Sequence, residues 1–98
     1  MSDLGCEWDP RKDAANRRKH GVSFPEAETV FSDEDAILLD DPIHSSHEER
    51  FLLLGLSSSL RLLVVAHTYR EGNDTIRLIS ARKATRVERG QYDHRWKS

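Results

Sequence analysis

Four segments between Ala36 and Ala81 alternate apolar with polar or small residues: Ala36–Asp40, Arg50–Leu56, Arg61–Tyr69 and Thr75–Ala81. A period of two is that of a strand with one buried face, so all four read as β-strands. They are joined by a polar loop at 41–49, a Ser-rich turn at 57–60, and Glu71-Gly-Asn-Asp74, a hairpin signal. Connections this short favour neighbouring antiparallel strands, and the expected sheet is a four-stranded antiparallel meander. At 98 residues the chain suits one domain, 1–98, with a single modest core that buries about two-thirds of the unfolded surface.

Helical signals bracket this region. Asp9 can cap and Pro10 fits the first helical position, so helix one is expected from Pro10 to about His20, with Ala14, Ala15 and Arg18 packing and Gly21 as the stop. Ser23-Phe-Pro-Glu26 spells a capping box, and Phe24, Ala27, Val30 and Phe31 follow at helical spacing, which places helix two up to about Phe31. A last helix is expected from about Ala84 to His94, with Thr85 and Glu88 as a second capping box. The fold class is therefore α+β, in the order ααββββα.

The net charge of −2 hides segregation. Residues 11–20 carry +4, residues 21–60 carry nine acids against Arg50, and residues 75–98 carry seven bases against Glu88 and Asp93. Two basic segments around an acidic middle suggest one face for a polyanion and another for a basic partner. The single cysteine, Cys6, cannot form an internal disulfide, and the N-terminus lacks a basic-then-apolar signal pattern, so a cytoplasmic location is expected. The longest apolar run, Leu62 to Ala66, is too short to span a membrane, and no membrane role is expected.

Trp8-Asp-Pro, Lys12, Asn16, Lys19-His20-Gly-Val, Phe24, Glu26-Ala27, Val30-Phe31 and Asp33 are followed by His44-Ser45, Glu49-Arg50, Gly55 and Ser57. Then come Arg77, Ile79-Ser80-Ala81-Arg82, Ala84, Glu88 and Tyr92. In order and spacing this set resembles the BrnT family of type II toxins over roughly residues 8 to 92. The resemblance implies a RelE-like ribonuclease fold, a toxin that lowers translation by cleaving RNA, and an accompanying BrnA-type antitoxin that binds DNA and represses the operon. DNA would then be met only through the antitoxin, in an oligomer with it. One departure is Ser59-Leu60-Arg61, where family members often place Gly before Arg, so the turn could be shaped differently.

RNA cleavage without a metal needs removal of the 2′-hydroxyl proton, positive charge on the phosphate, and protonation of the leaving 5′-oxygen. Arg82, Glu88, Lys19 and Arg50 are the catalytic candidates; His20, Arg77, Lys83, Arg86, Arg89 and Tyr92 are the RNA-binding ones. A guanidinium forks onto phosphate and stays charged, which favours Arg82. Strict alternation places Ile76, Leu78, Ser80 and Arg82 on one face of the last strand, with Arg77 on the other. Glu88 could orient Arg82, act as base, or close the capping box with Thr85; Tyr92 could stack on a base or join the core. Imidazoles titrate near neutrality, so His20 is an acid–base candidate, whereas His67, in mid-strand, is expected to be packed. His44-Ser-Ser-His47-Glu48 has metal-ligand types but no second cluster and not the helical zinc spacing, so neither a metal nor another cofactor is expected. The competing readings are an RNA- or ribosome-binding module that does not cleave, and a pure interaction protein for a basic DNA-binding partner.

Overall fold

The structure, a computed structural model, describes residues 5–40, 50–70 and 75–94. The loop 41–49, with His44, His47, Glu48 and Glu49, and the hairpin signal 71–74 lie outside the described residues. The element order is β1 (Gly5–Glu7), α1 (Pro10–His20), α2 (Phe24–Thr29) with a 3-10 turn at Val30–Ser32, β2 (Ile37–Asp40), β3 (Phe51–Leu56), β4 (Leu62–Tyr69), β5 (Thr75–Lys83) and α3 (Arg86–His94). The α+β class holds, but the sheet has five strands in the order β1-β5-β4-β3-β2, and it is mixed rather than antiparallel. β1 pairs parallel with β5, Cys6 opposite Ile76 and Glu7 opposite Arg77, while β2 to β5 form the expected antiparallel run. Three residues are too few for an alternating pattern to register, and their pairing partner lies about 70 positions away. This is why β1 has no signature in the sequence.

The helix-start signals work, except that the Glu26 side chain does not close the capping box spelled with Ser23: its carboxylate goes to Arg61 and Ser57. Asp9 accepts from the Arg11 amide at 2.9 Å, Gly21 takes a left-handed φ of 71° at the end of α1, and Ser23 accepts from the Glu26 amide. The packing face of α1 differs from expectation. Ala15 and Arg18 are exposed, and the buried residue is Asn16. Its amide nitrogen donates to the carbonyls of Val22 and Ala81, both at 2.8 Å, and its Oδ1 accepts from the Ala81 amide at 3.1 Å. Asn16 thus bonds the exposed edge of β5 as a neighbouring strand would, beyond the point where β1 ends.

Two apolar layers sandwich the sheet. On one face Val22, Phe24, Ala27 and Val30 pack on Leu63, Val65, Ile76, Leu78 and Ala81. On the other, Leu54, Leu62 and Val64 are packed by Ala84, just before α3, and by Tyr92 of α3, with Ile37, Leu39, Leu52 and Leu56 around them. Each fully buried Leu, Val or Phe contributes about 1.5–3 kcal/mol of transfer free energy. His67 is fully buried among Phe31, Phe51 and Tyr69, with Nδ1 3.1 Å from the Val65 carbonyl, and burial lowers its pKa. It is a packed, neutral histidine, as expected.

A register shift between Ala66 and His67 makes β5 gain one residue: Ala66 faces Ser80, but His67 faces Leu78. Ile79 is the extra residue, a bulge that reverses strand parity. The expected separation of Arg77 from Arg82 is thereby overturned. Arg77 is level with Thr68 and Arg82 with Val64, and both lie on the α3 side of the sheet.

The turn at 57–60 explains the departure before Arg61. Leu60 has φ 62°, the left-handed region that glycine adopts without strain. Leucine takes the same backbone there because Leu60 donates to the Ser57 carbonyl, Ser57 donates to the Arg61 carbonyl, and the Ser57 hydroxyl accepts from the Ser59 and Arg61 amides. At Gly55 the need is for space: a Cβ would lie 2.9 Å from side-chain carbons of both Ala36 and Val30. The 3-10 turn can sit this close to β3 only over a glycine.

Candidate functional site

Strand order and register sort the expected site residues into three groups. The first is the corner where β5 meets α3. Arg82 Nη1 donates to Glu88 Oε1 at 2.8 Å and Nη2 to Oε2 at 2.9 Å, a fork-to-fork pair. Glu88 Oε1 also accepts from the Thr85 amide at 2.8 Å, and the Glu88 amide donates to the Thr85 hydroxyl. Orienting Arg82 and closing the capping box are thus one arrangement. The Glu88 carboxyl is held down at about 2, chiefly by the Arg82 guanidinium and further by the Thr85 amide. A carboxylate this acidic is a poor proton acceptor at neutral pH, and in the structure both of its oxygens hold Arg82. Arg82 keeps its Nε–H and one Nη2 hydrogen for a ligand, and its side chain is partly exposed.

The second group is a cleft of about 240 Å³ between α1 and the bulged edge of β5, lined by Lys12, Ala15, Asn16, Lys19, His20, Ile79 and Ser80. Lys12, Lys19 and His20 have no ion pair among the described residues. The cleft adjoins the Arg82 corner along the chain: Ser80 lines it, and Asn16 bonds the peptide of Ala81, the residue before Arg82. Lys12 was missed as a site residue. The signal that could have found it is its i, i+7 relation to Lys19, two turns along one face of α1.

The third group lies at the far end of the sheet. Arg50 precedes Phe51, whose partner is His67, and so sits level with Thr68 and Arg77. Four strand positions separate that level from Arg82, opposite Val64 and Leu54, so the structure does not bring Arg50 to the Arg82 corner. Arg77 pairs with Glu7 at 2.9 Å, and Arg70 with the same carboxylate at 3.4 Å.

Lys83, Arg86 and Arg89 are exposed, with no ion pair among the described residues. Of the two readings of Tyr92, the structure takes the core one and not the RNA-binding one. Its ring packs with the second core cluster and its hydroxyl donates to Asp33 Oδ2 at 2.7 Å, so it is turned inward rather than offered to a base. Cys6 is equally inward. Burial, then the neighbouring Glu28, pushes its thiol up to about 11, which leaves no thiolate for chemistry at neutral pH.

Among the described residues no group of three or more His, Cys, Asp or Glu side chains could hold a metal, and no helix is long and apolar enough to cross a membrane. Residues 8–88 match the family model described as the ribonuclease toxin BrnT of type II toxin–antitoxin systems. No curated protein sequence matches. Among solved structures, the chain is similar to the ribonuclease toxin BrnT of Brucella abortus, a crystal structure at 1.1 Å, with 22% identity and a TM-score of 0.64. The alignment covers 85% of this chain and 99% of that one.

Proposed function

The chain belongs to the BrnT family of ribonuclease toxins from type II toxin–antitoxin systems, and from that premise we propose that it is a metal-independent endoribonuclease that inhibits translation. The observation that carries this reading is the junction of two cationic devices on one stretch of β5. Arg82, locked by Glu88, lies two residues beyond Ser80, which lines a cleft where Lys12, Lys19 and His20 have no ion pair among the described residues.

In the proposed reaction the 2′-oxygen attacks the adjacent phosphorus and the 5′-oxygen leaves, giving a 2′,3′-cyclic phosphate and a 5′-hydroxyl end. Arg82 and Lys19 stabilise the charge that builds on the phosphate oxygens, and Glu88 fixes the guanidinium before substrate arrives. His20 moves the proton. Lys83, Arg86 and Arg89 draw the RNA backbone from a distance, and Arg50 with Arg77 contacts the strand further along the same face of the sheet. The antitoxin, a BrnA-type DNA-binding protein in this reading, silences the toxin by covering or distorting the site and carries the pair to DNA.

Incubating the purified chain with RNA in excess chelator tests the proposal. Cleavage to cyclic-phosphate ends is expected to persist with chelator and to fall by about 100-fold in Lys19→Ala. RNA that is shifted on a gel but never shortened would replace the enzyme by a binding module.

A further inference from the structure

The two edges of the sheet are finished differently. On the β5 side β1 covers Thr75 to Arg77, and Asn16 bonds the peptide of Ala81 beyond it. On the other side β2 pairs with β3 along one edge, and no described strand pairs with its outer edge. Such an edge presents unpaired amide and carbonyl groups to a further strand. Ile37-Leu38-Leu39 carries none of the usual protection against that, neither charge, proline nor bulge, and Leu38 is 54% exposed in the middle of it.

A second copy is a poor occupant. Two-fold pairing of β2 with itself is antiparallel, and a register centred on Leu38 lays the Asp40 position of one copy beside the Asp35–Ala36 end of the other. Asp33, Glu34 and Asp35 precede the strand and Asp40 closes it, so like charges meet at both ends. The same acids suit a strand with cations at its ends. Close to where β2 begins there is also a hollow of about 600 Å³, lined by Glu28, Thr29, Ser32, Asp33, Leu56, Ser57 and Ser58. Its negative charge comes from Glu28 and from Asp33, whose oxygens already accept from the Asp35 and Leu56 amides and the Tyr92 hydroxyl, so it draws a lysine or arginine side chain by charge.

We propose that the antitoxin lays an extended segment, alternating in apolar residues and flanked by Lys or Arg, along the outer edge of β2 as a sixth strand, with one flanking cation in the Glu28–Asp33 hollow. The proposal rests on membership of a type II toxin–antitoxin family, which implies an antitoxin, and not on RNA cleavage. Main-chain bonds supply the affinity, and the acidic ends set polarity and exclude self-pairing.

Amide hydrogen exchange on the chain alone and on its complex with the co-expressed antitoxin tests this. Among the amides of Ile37, Leu38 and Leu39, those that point away from β3 are expected to exchange at least about tenfold more slowly in the complex. Leu38→Lys, at an exposed position, is expected to weaken the complex by roughly tenfold or more while leaving the melting temperature and RNA cleavage of the free chain unchanged. Glu34→Lys is expected to weaken the complex and to reduce its sensitivity to salt. Unchanged exchange at Ile37–Leu39 in the complex overturns the proposal, as does a free chain that sediments as a dimer which Leu38→Lys dissociates. Exchange is read without RNA, so a chain that fails to cleave leaves this result standing.

Discussion

Two arginine–carboxylate forks stand near one end of the sheet, Arg61 with Glu26 on the α2 face and Arg82 with Glu88 on the α3 face. Arg61 meets Glu26 through Nε at 2.8 Å and through Nη2, which also donates to the Gly21 carbonyl, while the Ser57 hydroxyl donates to the same carboxylate at 2.7 Å. Its partners come from α2, the end of α1 and the β3–β4 turn, so it is a clamp between distant segments. Arg82 and Glu88 lie six residues apart, share their acceptors with one local capping box, and follow closely on Ser80, which lines a cleft whose cations have no ion pair among the described residues. The chemistry of the forks is the same; their use differs because one spends its donors on the fold and the other keeps donors for a ligand.

Substitution should separate them. Arg82→Ala is expected to lower RNA cleavage by roughly 100-fold while changing unfolding free energy by less than about 1 kcal/mol, since Thr85 still caps α3 with Glu88. Arg61→Ala is expected to do the reverse. Leaving the largely buried Glu26 carboxylate with Ser57 alone should lose about 2 kcal/mol in denaturant unfolding, with the cleavage rate per folded molecule retained. Equal losses of activity in the two variants would erase the distinction.

Acid titration sharpens it further. The folded-state pKa of Glu88 is depressed to about 2 from 4.5, so its contribution to stability is fully present above about pH 4.5 and is lost as pH falls towards 2. Glu26 is depressed in the same direction, chiefly by Arg61. Glu88→Gln and Glu26→Gln should each flatten part of the stability profile in that window, as followed by circular dichroism. Neither should alter the slope between pH 6 and 8.

The smallest effect lies in the turn that Arg61 holds. Leu60→Gly relieves a left-handed leucine and is expected to raise unfolding free energy by about 0.5–1 kcal/mol, the gain being limited by the extra freedom of glycine in the unfolded chain. A loss on this substitution would mean that the exposed leucine has contacts which outweigh its backbone strain.

Residues a few positions apart carried their own instructions. Asp9-Pro10 and Gly21 bounded α1, Ser23 and Glu26 started α2, Thr85 and Glu88 built the corner that locks Arg82, and alternation placed four strands within two residues of their observed starts and ends. Caps and periods act over one or two turns, so they are written locally and can be read locally. The parallel β1, the Ile79 bulge that brings Arg77 and Arg82 to one face, Asn16 against Ala81, Arg61 on Glu26 and Tyr92 on Asp33 were decided by the tertiary structure. The side-chain bonds among them join groups 35 to 65 positions apart. A buried amide or carboxylate must find a partner, but which one it finds depends on which elements the assembled sheet brings beside it.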